Sequence, residues 1–158
     1  MITTGIGYDS HRLVSGRRLV LGGVELASEV GLEGHSDADV LVHAVVDALL
    51  GAGALGDIGA HFPDTDERYR DADSLELLRD VVALLHGRGF APIHVDATVL
   101  LERPKLAGVR EEIRRSLAGA LGISVEHDSL KATRGEGMGF VGRGEGAAAL
   151  AVATVERA

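Results

Sequence analysis

The run SDADVLVHAVVDALLGAGAL, residues 36–55, constrains the fold more than any other segment. After a polar start it is apolar apart from His43 and Asp47. A helix that is hydrophobic nearly all round is buried rather than laid on a surface, so the rest of the chain has to cover it. The spacing predicts a helix over 36–55, with Ser36 and Asp39 placed like the two ends of a capping box. Asp39, His43 and Asp47 follow at intervals of four and share one face of that helix. The imidazole of His43 is then either a satisfied core group or a ligand, and the two acids are candidates to orient its ring nitrogens.

Around this helix the chain reads as a mixture of strands and helices without strict βαβ alternation. GIGYDSHRL (5–13) alternates as a strand, and 16–27 reads as strand, glycine kink, strand, a hairpin on one edge. Residues 56–73 are loop. Asp73 is the expected N-cap of a second helix over 74–86. A strand at 93–102 and a helix at 106–122 closed by Gly122 come next. A short strand at 128–133, a glycine-rich loop at 134–146 and a strand at 147–157 complete the pattern. The class this predicts is α+β, with helices packed on one face of a sheet. A length of 158 residues suits one domain, 1–158.

Composition narrows the chemistry. With no cysteine, any metal must be held by His and carboxylate. The net charge of −8 speaks against nucleic acid as a partner. The first residues lack the charged and apolar regions of a signal peptide, and no apolar run approaches the roughly 18 residues of a membrane span. The expectation is a soluble cytoplasmic protein that does not engage a membrane.

Asp9 and His11 lie two apart in the first strand and project to the same side. The pair is either a polar strand end satisfied by backbone or part of a site. With His43 it makes two imidazoles and a carboxylate, the donor set of a catalytic zinc centre that keeps one position open. His35 precedes the helix start in GHSD, where free N–H groups favour anions, unless Ser36 simply caps its helix. His61 is ambiguous, and His86, His94 and His127 read as surface. TRGEGMGFVGRGEG (133–146) carries six glycines in fourteen residues. It suits a phosphate cradle or a tight loop between strands, and it matches neither nucleotide-binding glycine pattern.

Together GYDSHRL, GLEGHSDADVLVHAVVDALLGAGALGDIGAHFPDTD and GFVGRGEG resemble the 2-C-methyl-D-erythritol 2,4-cyclodiphosphate synthase family of the non-mevalonate isoprenoid pathway, over nearly the whole chain. The resemblance implies a homotrimer with sheets facing its axis and active sites between adjacent subunits. It implies a cytidine diphosphate substrate, 4-diphosphocytidyl-2-C-methyl-D-erythritol 2-phosphate, whose 2-phosphate attacks the β-phosphate and expels CMP. Asp9, His11 and His43 match the family's Zn²⁺ ligands, and Glu136 matches the residue that helps hold a second cation, Mg²⁺ or Mn²⁺. His35 and Ser36 match the mobile segment that contacts the methylerythritol phosphate, His35 with a catalytic role. Asp57, Ile58, Gly59, Phe62, Pro63, Asp64, Thr65 and Asp66 match the sugar-alcohol pocket. Leu101, Pro104, Lys105, Leu106, Ala132 and Thr133 match the cytidine side. Phe140 and Arg143 match residues near the substrate phosphate and the trimer axis, and Ser10 and Gly135 are counted among the substrate contacts.

One departure stands out: the family usually reads KATTTE where this chain reads KATRGE, residues 131–136. Arg134 therefore occupies the place of a threonine hydroxyl that contacts the β-phosphate. The expectation is that its guanidinium takes over that catalytic contact, which is charge-assisted. Two rival readings are a zinc-dependent phosphohydrolase, using a metal-activated water, and a non-catalytic trimer that binds isoprenoid diphosphates through Arg143 along a central channel.

Overall fold

The computed structural model describes residues 1–157. The chain opens with a long strand, β1 (Ile2–Ser15), then β2 (Leu19–Leu21), β3 (Val24–Leu26) and β4 (Val30–Leu32), and reaches the central helix α1 (Val40–Ala52). After it come α2 (Ile58–His61), α3 (Ser74–Gly87), β5 (Phe90–Leu100), α4 (Arg110–Leu121), β6 (Asp128–Thr133), α5 (Gly139–Gly142) and β7 (Gly146–Arg157). The main sheet has the order β4-β1-β7-β5-β6, and β2 and β3 pair with each other. All its neighbours are antiparallel except β5 and β6. The sheet is therefore mixed and the class α+β, as predicted.

Over β1 and β7 the helical face of the sheet is made largely of glycine and alanine, and that decides where α1 lies. On β1, Gly5 and Gly7 stand opposite Ala153 and Ala151 of β7. A Cβ on Gly7 would sit 1.9 Å from the carbonyl oxygen of Ala44, and one on Gly5 2.1 Å from that of Ala48. The helix backbone thus rests directly on the strand. Helix and strand run in opposite directions, with Thr3 Oγ1 donating to the Ala52 carbonyl at 2.8 Å. Four helix residues rise about 6.0 Å and two strand residues about 6.7 Å, so Ala52, Ala48 and Ala44 keep step with Thr3, Gly5 and Gly7. One further step carries the start of α1 over Asp9 and His11. That step creates the site.

Several boundaries differ from the sequence reading. The central helix begins at Val40, capped by Asp39, whose side chain accepts from Val42 N at 3.0 Å. Ser36 does not cap it; its hydroxyl accepts from Ala38 N at 3.2 Å in a turn before the helix. Asp39 is favoured because its buried carboxylate also accepts from Gly22 N (3.0 Å) and Gly23 N (2.7 Å), tying the β2–β3 turn to the helix. Burial raises the Asp39 carboxyl to about 6 despite those bonds. The helix expected from 106 starts only at Arg110 and ends at Gly122, whose φ of 71° closes it as expected. Strand β4 has no counterpart in the sequence pattern, since three residues are too few to show a period.

The opposite face of the sheet carries no helix. Ile6, Tyr8, Leu150 and Val152 form two cross-strand pairs there and remain 67%, 55%, 41% and 36% exposed. A contiguous apolar patch in the middle of a sheet is unusual for a surface left to water.

Candidate metal centre and its two flanking cavities

Asp9 and His11 leave β1 on the helical side and meet His43 from α1. Asp9 Oδ2 lies 2.8 Å from His11 Nε2 and 3.1 Å from His43 Nδ1, and the two ring nitrogens are 3.3 Å apart. Donors about 2.0–2.1 Å from a tetrahedral zinc stand roughly 3.3 Å from one another. The spacing of these three atoms therefore suits one such ion, and they form a group able to hold a divalent metal. Burial by itself would raise the Asp9 carboxyl, but hydrogen bonds and charge from His11 and His43 bring it down to about 2. Burial likewise disfavours a charged His11, and Asp9 together with the Glu33 carbonyl outweighs that and raises its pKa.

Each imidazole is held from behind. His11 Nδ1 lies 2.8 Å from the Glu33 carbonyl oxygen, an acceptor, so it carries the proton and leaves Nε2 for the cluster. His43 Nε2 lies 2.8 Å from Ser74 Oγ and 3.3 Å from Ser36 Oγ. The expectation that Asp39 and Asp47 orient the ring nitrogens is corrected by these contacts. Asp39 is consumed as the helix cap, and Asp47 accepts from Ile58 N at 3.0 Å, fixing the start of α2. Helical spacing put them on the face of His43, but their oxygens turn to nearer backbone donors.

The cluster opens into a cavity of about 420 Å³ whose wall includes Gly34, His35, Ser36, Ile58, Gly59, Phe62, Pro63 and Asp64. The sequence reading missed Tyr69 and Leu77, which also line it. Tyr69 packs edge-on against Phe62 with ring centres 5.3 Å apart. Three backbone carbonyls tether the His35–Ser36 segment. Arg17 donates to Gly34 O (3.2 Å) and Ser36 O (2.9 Å), and Asp71 N donates to His35 O (2.9 Å). Of the remaining pocket candidates, Asp57 caps α2 through Ala60 N, Asp66 pairs with Arg68, and Thr65 is exposed. These three are not among the residues that line the cavity.

A second cavity, about 180 Å³, gathers Leu101, Pro104, Lys105, Leu106, Ala132, Thr133 and Arg134, with Glu102 and Arg110 beside them. Glu102 occupies the backbone cradle that the glycine spacing suggested for phosphate: one oxygen accepts from Gly135 N at 2.8 Å, the other from Arg134 Nη2 at 3.2 Å. Glu136 follows, exposed, with a φ of 52°. A third hollow of about 220 Å³ includes Ser10, Phe140 and Glu145, and Arg143 Nε lies 2.7 Å from Glu145 Oε1. The chain brings Asp9, His11, His43, His35 and Ser36 together, while Arg134, Glu136 and Arg143 lie outside that wall. His86, His94 and His127 are exposed as expected, and His61 Nε2 binds the Leu55 carbonyl at 2.8 Å.

The family model described as the YgbB family matches residues 2–156. The 2-C-methyl-D-erythritol 2,4-cyclodiphosphate synthase of Salinibacter ruber is 60% identical over 154 residues, with 98% of each chain covered. That of Chlorobaculum tepidum is 56% identical over 154 residues at the same coverage. A solved structure of such a synthase with CDP bound superimposes with a TM-score of 0.89 at 38% identity, covering 97% of this chain and 99% of that one. The bifunctional IspDF from Campylobacter jejuni superimposes with a TM-score of 0.96 at 39% identity, covering this chain completely and 43% of its own length.

Proposed function

The chain belongs to the YgbB family, that of the 2-C-methyl-D-erythritol 2,4-cyclodiphosphate synthases, and from that premise we propose how its residues carry out the family's reaction in isoprenoid precursor synthesis. The substrate is 4-diphosphocytidyl-2-C-methyl-D-erythritol 2-phosphate. A bond forms between a 2-phosphate oxygen and the β-phosphorus, the bridge to the α-phosphate breaks, and CMP leaves with the bonding pair. The carrying observation is the Asp9–His11–His43 cluster at the floor of a cavity of about 420 Å³.

Asp9, His11 and His43 would hold a zinc ion, which would supply Lewis acidity to the substrate's phosphates. The protein's own work is positioning and charge neutralisation, which is most of what phosphoryl transfer asks. Ile58, Gly59, Phe62, Pro63 and Asp64 enclose the methylerythritol, and His35 and Ser36 bind its phosphate. Both reacting phosphates belong to one bound molecule, so the step is unimolecular and escapes much of the entropic barrier. The attacking phosphate is already anionic and needs no general base. Arg134 turns from Glu102 to the diphosphate, and Glu136 would help hold a second cation, Mg²⁺ or Mn²⁺, that would neutralise phosphate charge. Leu101, Pro104, Lys105, Leu106, Ala132 and Thr133 receive the cytidine.

We read residues 1–158 as one synthase domain that works as a homotrimer in the cytoplasm, with the metal cavity of one subunit facing the nucleotide cavity of the next. Two features support the trimer: the uncovered apolar pairs Ile6–Val152 and Tyr8–Leu150, and the division of substrate contacts between separate cavities of one chain. None of the helices among the described residues is long and apolar enough to cross a membrane. The phosphohydrolase and the non-catalytic binder are not favoured, since relatives at 53–60% identity are named synthases. Incubating the protein with the cytidylylated substrate tests the reading. A cyclic diphosphate and CMP in equal amounts, abolished by chelator and restored by metal, are expected. Linear products indicate hydrolysis, and no turnover with metal present indicates a binder.

A further inference from the structure

We propose that Ser74 and Asp37 are positioning residues for His43, setting which of its nitrogens is free for metal. This rests on the reading of Asp9, His11 and His43 as ligands. Ser74 is the first residue of α3 and fully buried. Its hydroxyl bonds to Asp37 Oδ1, and its backbone N donates to Asp37 Oδ2 at 2.9 Å. Asp37 Oδ1 also accepts from Asp39 N at 3.1 Å.

Both Asp37 oxygens already accept from backbone N–H groups, so the serine proton points at Asp37. The lone pairs of Ser74 Oγ then face His43 Nε2, 2.8 Å away, and that nitrogen has to be the donor. With one proton fixed on Nε2, Nδ1 is the nitrogen that His43 can give to a metal beside Asp9 and His11. The order of donors is thus dictated from the acceptor-only end of the chain. Asp37 lies six residues before His43 and Ser74 lies 31 after it, so α3 docks its first turn against the metal centre. Ser36 Oγ, at 3.3 Å from the same nitrogen, is the weaker partner. Its hydroxyl can turn to a bound phosphate while Ser74 keeps the ring in place.

Groups that orient a ligating imidazole typically contribute 10–100-fold to metal affinity. The test uses zinc as the probe. In the ¹⁵N-labelled, metal-free protein the His43 ring is expected to carry a proton on Nε2; an unprotonated Nε2 overturns the proposal whatever the zinc affinity. Ser74→Ala is expected to raise the zinc dissociation constant, measured by chelator competition, about 10–100-fold while thermal unfolding stays cooperative. Ser36→Ala is expected to leave that constant within about twofold. Equal losses in the two variants, or none in Ser74→Ala, overturn the assignment. Failure of the unmodified protein to bind zinc refutes the ligand reading instead, and the protonation of His43 Nε2 still decides separately whether Ser74 orients the ring.

Discussion

In the metal cavity the ring nitrogens are held from behind, His11 by the Glu33 carbonyl and His43 by Ser74. In the glycine-rich loop the charged groups are exposed and satisfied by their own chain, Arg134 by Glu102 and Arg143 by Glu145. The first region is finished before any ligand arrives. The second holds its cations in ion pairs whose guanidinium side is exposed; such pairs contribute little to stability and exchange readily for a better anion. A diphosphate can therefore take Arg134 from Glu102 at small cost, whereas His11 and His43 keep the partners behind them. The comparison separates side chains fixed by buried or backbone partners from side chains held in exchangeable ion pairs.

The largest effect is expected from His43→Ala. It removes a ligand from the finished region, and turnover should fall by more than about 10³-fold, the weight of a Lewis acid that stabilises a transition state by several kcal/mol. Residual turnover near that of the unmodified protein would break the comparison at its strong end. Gly7→Ala probes the same region through packing. Its Cβ would meet the Ala44 carbonyl oxygen at 1.9 Å, and that oxygen belongs to helix backbone, which cannot step aside locally. Overpacking of about 3 kcal/mol should lower the Tm by roughly 10 °C and weaken zinc binding as α1 lifts from β1. An unchanged Tm would mean that helix and strand do not need to touch.

Arg134→Ala addresses the responsive region. A rise of about fivefold in KM with zinc content unchanged is expected for loss of one exposed charge-assisted contact; an unaltered KM would remove Arg134 from the substrate contacts. The smallest effect concerns the strand that delivers this loop. Asp128 begins β6, is 1% exposed, and neither carboxylate oxygen has a hydrogen-bond partner among the described residues. Burial raises it to about 7, with Asp96 and Glu111 adding to the rise and Arg114 opposing it. The native state then holds a proton that the unfolded chain has released, so this contribution is complete below about pH 4 and lost as pH rises through about 7. Asp128→Asn should be the more stable form at pH 8 by a few degrees in Tm, with the gap closing toward pH 4. A constant gap would place the carboxylate in contact with solvent.

How much of this was legible in the sequence depends on how far apart the interacting residues lie. The helix over 74–86 and its Asp73 cap, the Gly122 stop and the strand over 128–133 were readable, because each is a pattern among near neighbours. The choice of Asp39 over Ser36 as the cap of α1 was not. Both residue types cap helices, and the decision came from Gly22 and Gly23, on a separate turn. Asp39 and Asp47 looked equally suited to orient His43 by helical spacing, yet both are claimed by backbone donors outside the helix. Ser74, which does meet His43, appears in the sequence only as the first residue of another helix. The resemblance to the family marked Asp9, His11 and His43, but not the groups behind them.

The sequence by itself determined that Asp9 and His11 share a side of one strand, that an apolar helix carries a single imidazole, and that a metal could find only nitrogen and oxygen donors. Those follow from the backbone periods of strand and helix and from the absence of cysteine. The tertiary structure alone decided that the three side chains meet. Their convergence depends on how closely α1 can approach β1, which the bare positions of Gly5 and Gly7 and the alanines of β7 allow. It also decided which nitrogen of His43 faces the others, because a hydrogen bond reads distance in space and not separation along the chain.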